Sequence, residues 1–203
     1  MRIDRRNMRR NSNSLPTSYE RLEYIENTST AYMDCGLKPK YTFDYELKTN
    51  IYTGDSIIGC IFKNDGTDFR FFNLIITYFD VGYNRISLRI PNSAFNPLYV
   101  KFGNYFIENP LTKEKVTGTI FDEKMNGAMI TNLFLFARLV YSPSGVRSVI
   151  SKGKIWLLNI NDNGKPIRKF IPVKRKSDGV IGMYDLVGRK FYTSPNGMAF
   201  TGR

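Results

Sequence analysis

Apolar side chains in this chain recur at every second residue, in short runs, and no stretch of ten or more residues carries them at helical spacing. In "YTFDYELKTNIY", Phe43, Tyr45 and Leu47 share one face, and Thr42, Asp44 and Glu46 share the other. In "RISLRIP", Ile86, Leu88 and Ile90 alternate with Arg85, Ser87 and Arg89. Period two is the signature of a strand with one buried face. "STAYMDCGLKP" sets Ala31, Met33 and Cys35 against Tyr32 and Asp34 and stops at Gly36 and Pro39. "DSIIGCIFK" and "GKIWLLNIN" read as strands, "NLFLFARLVY" as a buried strand, and "FRFFNLIITYF" as one long strand or a strand pair. "NDGT", "DVGYN" and "DNGK" read as turns, and Asn126-Gly127 as the turn of a hairpin within "KVTGTIFDEKMNGAMI". "LPTSYERLEYIENT" fits a short helical turn or an irregular segment held by Tyr19, Leu22, Tyr24 and Ile25. Many short strands with Gly, Asn and Pro between them predict an all-β sandwich or jelly roll.

The 203 residues suit one domain with a tail, and 42% apolar and 14% aromatic content is enough for a packed core. The longest apolar runs fall well short of the roughly 20 residues that span a bilayer, so no membrane partner is expected. The N-terminus has the positive start of a signal peptide with no apolar stretch behind it, so export by that route is not expected. Residues 1–14 read as a basic, extended anchoring arm and residues 15–203 as the domain. The net charge of +12 concentrates in two places. Arg2, Arg5, Arg6, Arg9 and Arg10 crowd the arm against Asp4 alone; Lys165, Arg168, Lys169, Lys174, Arg175 and Lys176 form a late cluster. Arginine forks suit carboxylates of a protein partner or phosphates, and such arms order on what they bind.

Histidine is absent, which excludes Ser-His-Asp and Cys-His catalysis and His-based zinc sites. Cys35 and Cys60 are expected to be two buried thiols of a protein made in a reducing cytoplasm. Asp80, Asp162, Asn163 and Asp178 carry oxygens suited to calcium but read as turn residues, so no metal and no cofactor are expected. Asp44 and Glu46 share a strand face, as a glycosidase pair would, but read as an exposed polar edge. Glu20, Glu23 and Glu26 follow helical spacing and read as solvent-facing. No enzyme activity is expected. Tyr78, Phe79, Tyr83, Tyr99, Tyr105 and Tyr141 lie near turns, where aromatic rings stack on sugars, although aromatics at this density also fill a core. The tyrosines Tyr78, Tyr83, Tyr99, Tyr105 and Tyr141 are the candidate glycan contacts.

Two patterns frame the domain. Leu15, Pro16, Tyr19, Leu22, Glu23, Tyr24, Ile25 and Glu26 open it. Ile155, the run Asp162-Asn163-Gly164, Arg168, the run Phe170-Ile171-Pro172, the run Ser177-Asp178-Gly179, Gly182, Tyr184, Asp185, Phe191 and Tyr192 close it. Together they resemble the concanavalin A-like (laminin-G-like) jelly-roll domain of phage structural proteins and bacterial surface proteins, over roughly a third of the chain. Met33 and Cys35 stand where that family commonly has Ile and Thr, and Lys169 stands where it has Asp, which makes the surface beside Arg168 more basic. The resemblance implies a concanavalin A-like jelly-roll sandwich whose first and last strands lie side by side. "GMYDLVGRKFY" would then be a hairpin, its turn running from Asp185, which accepts backbone N–H groups, to Gly188 at positive φ. It also implies a phage virion structural protein: a lectin-like decoration or adhesion module joined through its arm to a capsid, portal/collar or tail protein. Such a protein would be made in the host bacterial cytoplasm, reside in the virion, and assemble as a homo-oligomer. Nucleic acid is a less favoured partner for the arm, and a host surface glycan is a candidate for the domain. The alternatives are a free carbohydrate-binding module and a jelly-roll endoglycosidase using Asp44 and Glu46.

Overall fold

A computed structural model describes residues 14–53, 57–60, 72–75, 78–83, 86–91, 97–119, 131–142 and 145–203; within 72–91 and 138–148 the description is of backbone pairing. The chain is all-β and antiparallel, with no helix among the described residues. The strands are β1 (Tyr19–Arg21), β2 (Ile25–Asn27), β3 (Met33–Asp34), β4 (Phe43–Thr53), β5 (Ile58–Gly59), β6 (Phe72–Ile75), β7 (Tyr78–Tyr83), β8 (Ile86–Pro91), β9 (Leu98–Gly103) and β10 (Phe106–Glu108). They continue with β11 (Lys115–Thr117), β12 (Phe134–Leu135), β13 (Ala137–Ser142), β14 (Gly145–Ile150), β15 (Lys152–Asp162), β16 (Lys165–Arg175), β17 (Ile181–Asp185), β18 (Lys190–Tyr192) and β19 (Thr201–Gly202).

One large sheet runs β11-β10-β9-β4-β15-β16-β17-β18, and smaller sheets are β3-β12-β5, β6-β7-β8 and β13-β14. The alternation read from "FDYEL" holds: Phe43, Tyr45 and Leu47 are buried while Asp44, Glu46 and Lys48 are half-buried on the opposite face. The inward residues of β4, β9 and β15 pack with Met33, Ile58 and Leu135 of β3-β12-β5 into one core. Tyr45 and Phe102 stack there at 5.0 Å. Cys35 and Cys60 are buried and are not joined by a disulfide. They follow β3 and β5, which flank β12 from opposite sides in matched register. Two strand spacings separate them, about 9.5 Å, beyond the Cα separation of ~7 Å that a disulfide bridges.

The opening segment is not helical. β1 pairs with β16 at Val173–Arg175, and β2 pairs with β15 at Gly153–Ile155. β15 and β16 pair directly only from Leu158 to Asp162 and then diverge. Residues 19–27 fill the wedge between them, and Leu22 N–H donates to Pro172 C=O across 3.0 Å. β19 adds to β2, and Tyr24 N–H reaches Arg203 C=O at 3.3 Å, so the two framing patterns do meet. Local periodicity misleads here because the pairing partners lie some 130–150 positions away and override local preference.

Three other readings need correction. "NLFLFARLVY" is two strands, not one: Phe136 turns to φ 59° between β12 and β13, its N–H bonds Ile57 C=O at 2.7 Å, and its ring packs on Phe200. "DVGYN" does not begin a turn, since β7 continues through Tyr83. In the hairpin of β17 and β18, Asp185 accepts N–H groups of Val187 and Gly188 at 3.0 and 2.9 Å as expected, but Arg189, not Gly188, takes positive φ. Gly188 is needed for space, because a Cβ there would stand 2.4 Å from Asp185 Oδ2. "FRFFNLIITYF" resolves into the β6–β7 pair, and "DNGK" turns through Asn163 and Gly164 at φ 49° and 74°. The "NDGT" turn and the Asn126-Gly127 hairpin lie outside the described residues, and β11 pairs with β10.

The outer face of the large sheet is divided. Over β16 and β17 it carries a second apolar cluster of Ile171, Val173, Tyr184 and Leu186, covered by Leu15, Tyr19 and Phe191. The Tyr19 ring lies 4.9 Å from that of Tyr184 and 5.4 Å from that of Phe191. Over β9, β4 and β15 the same face is polar along the Asp44 and Glu46 rows.

Candidate functional site

The polar half is built in cross-strand rows. In one row, Gly103, Asp44 and Asn161 lie side by side, and Asn161 Nδ2 donates to Asp44 Oδ1 at 2.6 Å. In the next, Lys101, Glu46, Asn159 and Lys169 align. Glu46 accepts from Asn159 Nδ2 at 2.7 Å and from the Tyr99 hydroxyl, and pairs with Lys101 Nζ at 3.8 Å. Partial burial raises the Glu46 carboxyl, but the Tyr99 and Asn159 hydrogen bonds and the charges of Lys101 and Lys169 outweigh it and hold Glu46 below the usual range. Burial and the bond to Glu46 push the Tyr99 phenol up to about 12. Asp44 and Glu46 therefore do not sit on an exposed edge: β4 is an interior strand, and both carboxylates hold cross-strand hydrogen bonds. Glu46 is a fixed, charged acceptor, the opposite of the raised carboxyl that protonates a glycosidic oxygen.

Beyond the Asp44 row the face ends in a cleft of about 240 Å³ between the start of β4, the β9–β10 turn and the β15–β16 turn. Tyr41, Asp44, Asn104, Tyr105, Phe106 and Asn163 contribute to its wall. Tyr105 is 55% exposed, whereas Asn104 beside it is buried. Gly103 keeps the floor open, since a Cβ would come within 3.2 Å of the Phe106 ring. Asp162, at the rim, is held by Thr42 Oγ1 at 2.6 Å and Lys40 Nζ at 3.5 Å. A carboxylate, carboxamides and an exposed ring converging on one small concavity suit a ligand with several hydroxyls and an apolar face, such as a sugar.

The predicted glycan contacts are thus scattered. Tyr105 lines the cleft, and Tyr99 lies two rows along β9 with its hydroxyl engaged by Glu46. Tyr78 and Tyr83 bound β7 and Tyr141 lies near the end of β13, with side chains outside the described set. Arg2, Arg5, Arg6, Arg9 and Arg10 also lie outside the described residues. Among the possible calcium ligands, Asp178 is committed to Arg175, which forks onto it at 2.6–3.1 Å. Arg168 points inward, 3.5 Å from the buried Asp185 carboxylate, which also accepts Lys169 N–H at 2.9 Å; both groups serve the fold.

Sequence reading missed an aromatic cluster farther along the outer face. Trp156, the chain's one tryptophan, and Tyr24 lie 5.6 Å apart between ring centres. Lys48 Nζ sits 5.7 Å over Trp156, and Lys154 Nζ sits 4.2 Å over Tyr24. Tyr52, 44% exposed, donates its hydroxyl to Glu26 at 2.8 Å. One signal was available: Ile155, Leu158 and Ile160 face inward with two residues, not one, between the first pair, a phase slip that marks a bulge.

Compared with known proteins, the chain matches no family model, no curated protein and no solved structure.

Proposed function

We propose that the chain is a lectin-like binding module of a phage virion, a concanavalin A-like jelly roll that takes a surface glycan at the β4/β9 rim and is addressed by its basic arm. The observation that carries the glycan site is the rim cleft, whose wall combines the exposed Tyr105 with Asp44, Asn104 and Asn163. The division of the outer face supports it, since the apolar side chains over β16 and β17 are covered, while among the described residues the polar rows over β9, β4 and β15 carry no cover. Support for the arm as an anchor comes from its point of exit. Ser18 C=O accepts Lys176 N–H at 2.9 Å, so the described chain begins beside Lys174 and Lys176, a basic surface next to the segment that precedes it. A symmetric array of arms on capsid, collar or tail subunits would make the module multivalent, compensating for a weak single site.

The test has two parts. The full chain on a glycan array should bind, and Tyr105→Ala should lose that binding with unchanged thermal stability. Deleting residues 1–14 should leave a folded, glycan-binding domain that no longer joins particles. Undiminished array binding by Tyr105→Ala removes the rim site; incorporation of the truncated chain at normal copy number removes the anchor.

A further inference from the structure

Two β-bulges on neighbouring strands aim aromatic side chains at one patch of the outer face. Between β4 and β15 the register runs Thr49↔Ile155 and then Lys48↔Leu157, so Trp156 is the extra residue. It runs Ile51↔Gly153 and then Thr53↔Lys152, so Tyr52 is the extra residue on the other strand. Gly153 makes the second bulge feasible, because a Cβ there would fall 2.2 Å from Asn50 C=O. Bulges re-aim side chains at the expense of the ladder, and here they turn Tyr52, 44% exposed, and the half-buried Trp156 toward the outer face. Tyr24, delivered by the wedge segment, completes the platform.

We infer that this platform is a second subsite, that with the rim cleft it binds one extended polysaccharide, and that the polysaccharide is acidic, carrying carboxylates on its sugar rings. The inference rests on the glycan reading of the rim and deepens it. Length comes from the register: Asp44 at the cleft and Asn50 beside the platform are six residues apart on β4, about 20 Å, too far for one sugar ring to touch both. Charge comes from the side chains between and around them. Lys48, Lys101, Lys154 and Lys169 line the path. The carboxylates that share it are engaged by Asn161, by Tyr99, Asn159 and Lys101, and by Tyr52. Among the described residues no carboxylate stands within ion-pair distance of Lys48, whose ammonium lies over the Trp156 ring. A cation poised at a ring face can be drawn aside by a uronate while the ring accepts the sugar face.

The lone tryptophan is the reporter. Titrating the full chain with polygalacturonate should shift Trp156 emission, and titrating it with the fully methyl-esterified polymer should not. Trp156→Ala, followed by calorimetry, should weaken polygalacturonate binding about tenfold or more, as loss of a ring stack of ~1.4 kcal/mol implies, and Trp156→Phe should restore most of it. Lys48→Gln with Lys154→Gln should weaken binding and flatten its salt dependence. Equal binding of both polymers, no binding of either, polyphosphate binding equal to that of polygalacturonate, or indifference to Trp156→Ala overturns the inference. Binding lost in Tyr105→Ala but not in Trp156→Ala sinks the platform and keeps the rim. The reverse pattern removes the rim and keeps the platform.

Discussion

The two halves of the outer sheet face are made by adjacent strands, yet they are finished in opposite ways. Over β16 and β17 the side chains are Ile171, Val173, Tyr184 and Leu186, and the chain's own residues 15–21 close over them. Over β9, β4 and β15 they are Tyr99, Lys101, Asp44, Glu46, Asn159 and Asn161, tied to one another and, among the described residues, left uncovered. Over β16 and β17 the outward apolar surface has a cover from the chain itself, whereas among the described residues the polar rows of β9, β4 and β15 have none. The covered half locks the wedge segment into place; the open half offers hydrogen-bonding groups already held in position, which lowers the ordering cost of binding.

That contrast can be broken at its strongest point by Asp185→Ala. The buried carboxylate accepts three backbone N–H groups and faces the partly buried Arg168, so its loss leaves those donors unpaired and should cost about 3 kcal/mol, read as a lower urea midpoint. Tyr19→Ala uncovers the second cluster without touching the first core. It should cost about 2 kcal/mol, from the area its ring covers and two ring contacts, while deletion of residues 1–14 leaves the melting temperature unchanged. The open half should respond least, and mainly to acid. Glu46 is held below its ordinary value of 4.5, so its contribution is present above that value and is lost as pH falls through the lower, folded one. Between about pH 5 and 3, Glu46→Gln should therefore show a shallower loss of stability than the native chain in parallel denaturant titrations. A Glu46→Gln curve superimposable on the native one would show that the row contributes nothing to the fold.

Much of the central architecture was legible from short-range pattern. The period of "FDYEL" assigned both faces of β4, and "DNGK" placed the β15–β16 turn, because each rests on neighbours along the chain. The wedge was not, since β1 and β2 are three-residue strands whose partners lie on β15 and β16. Phe136 was not, because an aromatic residue at positive φ is chosen by the pocket around Phe200, not by any local signal. At the site, the Asp44/Glu46 face could be read, but its occupancy could not: Tyr99 and Asn159 arrive from separate strands. Tyr105 was singled out by its place at a turn, while Trp156 was passed over because an apolar run hides a bulge.

The wedge also sets a schedule for folding. Ile25 cannot take its place until Ile155 and Gly202 exist to receive it, so the first strands made must wait for residues 152–203 to be translated. Until then the nascent chain carries its Leu15–Ile25 edge unpaired. Such long-range closure places the chain among slow folders, on the order of milliseconds to seconds, and makes the interval on the ribosome the period in which copies of this protein are most exposed to pairing with one another.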